Sequence, residues 1–201
     1  MTHTLIDVVE LDLNGDDTQK RSESNLRKVF LKEADTKRRT AIRHGLWTAV
    51  PLYLLFSITD ILLIPDVSAH TMFARFVVGI AALLTLETQI RANAKTNHLD
   101  IACAIALICG YIGWVVPAMM TSYTVNMSYY MVFGAIFMMG ANLFFTFSFA
   151  LSLCASAFIL VIYFAALNYI HEDIYYQITF GTFYLTCFVF TSYVNLRLNR
   201  E

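Results

Sequence analysis

Two opposite charges stand inside otherwise apolar stretches of this chain, Asp60 and Arg75. A charge in hydrocarbon is costly and as a rule finds a partner. Asp60 lies about five residues before Pro65, or ~7 Å deep at the helical rise, and Arg75 about four residues beyond Thr71, or ~6 Å deep. The depths match and the connection is short, which predicts an ion pair between consecutive spans. Such a pair either fixes helix register or forms the floor of an outward-facing ligand pocket. A buried pair alone is weak evidence of chemistry, so the register reading is preferred.

A second group is a polar ring at one level of the chain: Asp66, His70, Tyr123, Asn126, His171, Glu172, Asp173 and Gln177. Trp114, Tyr129, Tyr130, Tyr175 and Tyr176 fall near the same level. An aromatic belt with hydrophilic loops accounts for this pattern. The sharper reading is a mouth for a small amphipathic ligand entering between helices. On that reading the pocket residues are Asp60, Arg75, Trp114, Tyr123, His171 and Glu172. His44 and His98 near one boundary, with His70 and His171 near the other, would suit bis-histidine haem by residue type. All four sit in loops or at helix ends, whereas haem ligands need packed elements, so no cofactor is expected and haem is kept as an alternative.

Other chemistry finds little support. The sequence has no Walker motif, no His-Glu-x-x-His and no expected carboxylate pair at membrane depth. Glu87 and Arg91 read as a helix-end pair one turn apart. Pro51 and Pro117 are the only prolines inside spans, and a transporter would show more polar or broken helices near the midplane. Ala102, Ala106 and Gly110, and likewise Ser148, Ser152 and Ser156, recur every four residues and let helices approach closely. Phe180, Tyr184 and Phe188 mark one face of the last span as a core or a dimer seam. Cys103, Cys109, Cys154 and Cys187 all fall in apolar runs and read as small hydrophobes.

The elements that must position these residues follow from the charge distribution. The chain has 201 residues, 58% apolar and 14% charged, against about 25% charged in a soluble domain. Nine of its fourteen Lys and Arg precede His44. Residues 1–21 form a polar tail, without regular structure by composition. Residues 22–43 read as a basic amphipathic helix, with Leu26, Val29, Phe30 and Ala34 on one face, suited to an anionic membrane surface or to a dimer mate. Six spans are predicted from the ~20-residue crossing length: about 45–65, 71–90, 99–120, 128–145, 147–169 and 175–196. Ser128–Ile170 carries no charge and is twice the length of one span, which makes it a hairpin turning near Gly140–Thr146. With six spans, thirteen of the fourteen basic residues share one side. The positive-inside rule makes that side cytoplasmic for both termini. The expected fold is an all-α, polytopic six-helix bundle of a bacterial inner membrane, preceded by a cytoplasmic amphipathic helix.

A basic helix, six short-looped spans and an abrupt charged helical exit resemble the membrane input domains of bacterial nucleotide cyclases, the class III adenylate cyclases and diguanylate cyclases. The residues that carry the resemblance are Thr59-Asp60-Ile61-Leu62-Leu63-Ile64-Pro65, Arg75, and the exit Val194-Asn195-Leu196-Arg197-Leu198-Asn199-Arg200-Glu201, within residues 25–201. The resemblance implies a homodimer whose last spans feed a parallel coiled coil, with residues 197–201, including Arg197 and Arg200, as its start and a cytoplasmic cyclase beyond it. The expectation is therefore a sensor domain, not itself an enzyme, biased by a small ligand, lipid or membrane state. Its partners would be a second copy, membrane lipids and an unidentified small molecule, and not nucleic acid. The alternatives are a haem-binding redox or electron-transfer domain, a small transporter or channel, and a passive dimerising anchor.

Overall fold

The computed structural model describes the backbone of residues 3–144, 148–170 and 174–198, with side chains from residue 25 onward at most of these positions. The described residues are helical throughout, with short connections and no strand. Two units are distinguished, Met1–Arg39 and Thr40–Glu201.

Helix α1, His3–Leu55, supplies residues to both units. In the first unit it already runs through the stretch read as an irregular tail. No proline precedes Pro51 to stop it once it has started. Glu33 pairs with Lys37 at 2.9 Å and Asp35 with Arg39 at 2.8 Å, each one turn apart along the helix. Leu26, Val29 and Phe30 are exposed.

The second unit contains six helical segments. The first is broken: α1 ends at Leu55 and α2 spans Ser57–Leu63. Then follow α3 (Ser68–Arg91), α4 (Thr96–Ala118), α5 (Thr124–Phe144), α6 (Phe149–Ile170) and α7 (Ile174–Leu198). Pro65 ends α2. Asn93, at φ 52° in the turn after α3, takes the left-handed conformation that asparagine tolerates better than most residues.

Close helix neighbours form a ring, α2–α3–α4–α6–α7–α5 and back to α2. Among the described residues, four segments are long and apolar enough to cross a bilayer: Asn25–Leu63, Ser68–Arg91, Thr96–Ala118 and Phe149–Tyr169. The apolar stretch of α5, Val125–Gly140, is shorter. Segment α7 has 25 residues but carries polar positions such as Gln177, Thr182 and Thr186. Large apolar side chains point outward around the bundle, among them Phe73, Leu84 and Val161. This is the pattern of helices solvated by lipid tails, so the chain is an all-α polytopic membrane bundle.

Its core is aromatic. Trp114 stacks on Tyr130 at 5.0 Å, and Tyr163 on Tyr184 at 3.5 Å. The Tyr184 hydroxyl donates to the Met131 carbonyl at 2.6 Å. Gly134 makes room for this packing, because a Cβ there would overlap the Tyr184 hydroxyl and lie 2.5 Å from the Trp114 ring.

Candidate functional site

The break between α1 and α2 sets up the site. It leaves the Tyr53 carbonyl without a helical successor, and Arg75 Nη1 donates to it at 2.9 Å. Arg75 projects from α3 toward α2. Its Nε donates to Asp60 Oδ2 at 2.8 Å and its Nη2 to Asp60 Oδ1 at 2.9 Å. This is the two-pronged geometry that a planar guanidinium and a carboxylate make best. The Tyr130 hydroxyl, from α5, donates to Asp60 Oδ1 at 2.8 Å. The Tyr53 ring lies under the guanidinium, 4.9 Å from its carbon, and the Tyr53 hydroxyl donates to the Gly110 carbonyl of α4 at 2.7 Å. Asp60 is 0% and Arg75 2% exposed.

Five helices therefore meet at one neutral pair. The donors and acceptors around it are satisfied by named partners, the condition under which a buried pair holds together. This arrangement binds and fixes. It contains no polarised nucleophile or free base.

Beside the pair lies a cavity of about 120 Å³, lined by Leu46, Val50, Tyr53, Gly79, Gly110 and Phe137 among others. The one polar side-chain group among its lining residues, the Tyr53 hydroxyl, is bonded to the Gly110 carbonyl. The surface left to meet an occupant is almost wholly apolar. An apolar cavity of ~150 Å³ stays dry and takes a benzene-sized molecule. Leu52 and Ile136 also line this cavity, and both are exposed on the bundle surface, so it opens toward lipid. Tyr53 belongs to both the cavity and the clamp.

The pocket residues read from sequence separate as follows. Asp60 and Arg75 are bonded. Trp114 reaches them by stacking on Tyr130 and shares a void of about 10 Å³ with Arg75. Tyr123 stands on an exposed loop and lines none of these spaces. His171 and Glu172 lie outside the described residues, as does Arg200. Arg197 is exposed in the last turn of α7. His44, His70 and His98 are all exposed, unlike the packed positions that haem ligands need. The proposed aromatic belt divides. Tyr129 and Tyr175 face outward, whereas Trp114 and Tyr130 are buried.

Sequence reasoning missed three contributors. Tyr53 gave no signal beyond being aromatic. Tyr130 was placed in the belt, although its neighbour Tyr129 sits about 100° round the helix and takes the outward position instead. Asp100, buried on α4, accepts a hydrogen bond from the Ser148 amide just ahead of α6, at 3.3 Å. Its signal was an acid within the 99–120 span.

The two ends of the bundle carry their own ties. Arg43 donates to Glu87 at 2.7 and 3.1 Å, and Arg91 to the same carboxylate at 3.0 Å. The helix-end pair seen in sequence is thus a triad that also holds α1. At the opposite end, Asp66 accepts from the Thr121 hydroxyl at 2.6 Å and from the Ser122 amide at 2.7 Å. Partial desolvation alone pushes the Asp66 carboxyl up, but the hydrogen bonds from Thr121 and Ser122 together outweigh it and hold the carboxyl below the usual carboxylate range. Asn126 donates to the Leu63 carbonyl at 2.9 Å. These contacts clip the α2–α3 connection to the α4–α5 connection.

Fold and site together define a multi-span membrane domain with an enclosed charged centre. No protein-family model, no curated protein and no solved structure matches the chain.

Proposed function

We propose that the chain is the signal-receiving membrane domain of a nucleotide cyclase, with its N- and C-terminal segments on the cytoplasmic side. The observation that carries this reading is the shared residue Tyr53. Its ring walls an apolar cavity open to lipid, and its carbonyl and ring hold Arg75. An apolar occupant that moves Tyr53 would act directly on the joint between five helices. Ligands shift such a bundle only through different affinities for its two packings. Leu185, Val189 and Tyr193 are exposed at spacings of four along α7, which supports a second copy docking there and a paired exit at Arg197.

The test is a fusion of this chain to an adenylate cyclase, assayed in bilayers. Ala49→Leu, which fills the cavity from α1, is expected to change basal output severalfold and to abolish any response to added lipids. Output unchanged in Ala49→Leu and in Asp60→Asn, under every lipid composition, would identify a passive dimerising anchor instead.

A further inference from the structure

Along the outer side of α3 and α4 runs a second depression of about 430 Å³, within the size range of small-molecule sites. Its lining includes small residues, Ala81 on α3 and Ala102 on α4, together with Ile105. From His98 to Cys109 it follows α4 for about 16 Å at the helical rise. That is close to the ~15 Å half-thickness of a bilayer's hydrocarbon core. The groove therefore covers one leaflet, from the membrane middle to the basic end of the bundle.

At that end the lining turns polar. Thr85, Gln89 and His98 border it. Just beyond, the Asn93 turn carries exposed Arg91 and Lys95. Apolar walls one leaflet long, polar side chains at the headgroup level and cations at the rim describe one occupant by charge and length.

We propose that this groove binds an anionic phospholipid of the adjoining leaflet. One acyl chain lies along Ala81 and Ala102. The phosphate meets Lys95 and His98. Basic pockets between spans are established binders of anionic headgroups in general. The site lies on the outer side of the α3–α4 pair and requires no signalling role, so it goes beyond the receptor reading.

The full chain, delipidated and then titrated with phosphatidylglycerol or phosphatidylcholine, is read by native mass spectrometry. The expected result is at least tenfold preferential retention of phosphatidylglycerol. Lys95→Gln with His98→Gln should reduce that preference by about fivefold or more, given the usual contribution of a cation near an anionic lipid. Ala81→Leu or Ala102→Leu should reduce retention of both lipids by narrowing the groove. Ala81 is exposed, so its variant keeps the test valid if Ala102→Leu misfolds. Inorganic phosphate at millimolar concentration should not displace the lipid. Equal retention of the two lipids, preference untouched by the charge variants, or displacement by phosphate alone would each overturn the assignment.

Discussion

Replacing Asp60 by Asn exchanges one carboxylate oxygen for an amide nitrogen and leaves the volume almost unchanged. It removes the acid that pairs with Arg75 among the described residues. The guanidinium stays charged, because arginine does not deprotonate in proteins. The asparagine amide then turns a donor toward an Arg75 donor, at a position now holding a 2.8 or 2.9 Å contact. With the nitrogen at the Oδ2 position the bond from Arg75 Nε is lost, and with it at the Oδ1 position the bonds from Arg75 Nη2 and Tyr130 are both lost. Breaking a buried pair from one side costs about 3–5 kcal/mol. For a chain of this size that is a fall in Tm of about 6–20 °C. The assay is thermal unfolding in nanodiscs followed by circular dichroism and tryptophan emission, since Trp114 stacks on the Tyr130 that Asp60 holds. Asp60→Leu with Arg75→Met should recover most of the loss, because an apolar replacement of both partners leaves no charge behind. A loss below about 1 kcal/mol in Asp60→Asn, which is no more than one ordinary hydrogen bond, would show that Arg75 has other ready partners and that the clamp does not hold the bundle.

Two further outcomes test other parts of the structure. Gly134→Ala gains up to about 1 kcal/mol of helix propensity, but its Cβ meets Tyr184 and Trp114, and overpacking costs about 1–3 kcal/mol; a net loss is expected in denaturant titration, with partial rescue by Tyr184→Phe, and a stabilised Gly134→Ala would refute the packing described. Asp66 has a lowered carboxyl pKa when folded, so its contribution is complete above the usual value of 3.8 and disappears as pH falls through the lower folded value. Its stabilisation is small because the group is exposed, but the Ser122 amide resonance should titrate with a midpoint below 3.8 and become flat in Asp66→Asn; a midpoint at or above 3.8 would contradict the loop clip.

The sequence carried the architecture because membrane insertion writes itself locally. Twenty apolar residues mark a span without reference to any other part of the chain. The same locality explains Asp60 and Arg75. Two lone charges at equal depth on consecutive spans have few other choices of partner. What the sequence did not display is anything that depends on which face of a helix turns inward. Tyr129 and Tyr130 are adjacent and chemically identical, yet one is 68% and the other 0% exposed. A period of 3.6 assigns faces only when polar and apolar sides differ, and spans apolar all round give no such contrast. Arg43 escaped for a different reason. Its partner Glu87 lies 44 residues away across a packing that local spacing does not encode.

The energetics constrain how a receptor of this design would work. A molecule dissolved in the bilayer gains little hydrophobic free energy on entering an apolar cavity, because lipid tails are as apolar as its walls. Its gain is packing alone. Reversing an equilibrium from 1:99 to 99:1 needs about 5.5 kcal/mol of differential affinity. A cavity of about 120 Å³ holds too few atoms to provide that and also to break a clamp that costs about 3–5 kcal/mol. On the proposed reading, therefore, Asp60, Arg75 and Tyr130 stay bonded in both states, and α2, α3 and α5 move as one body. The joint that yields is the break at Phe56, where the Tyr53 carbonyl accepts a hydrogen bond from Arg75 Nη1 and the Tyr53 ring lies on the guanidinium, while the Arg43–Glu87 pair keeps the earlier part of α1 tied to α3. Sliding Tyr53 over the guanidinium disturbs a cation–π contact of only about 0.5–2 kcal/mol. That is within reach of a small apolar ligand, and it places the movable element on the side of the cavity that α1 supplies.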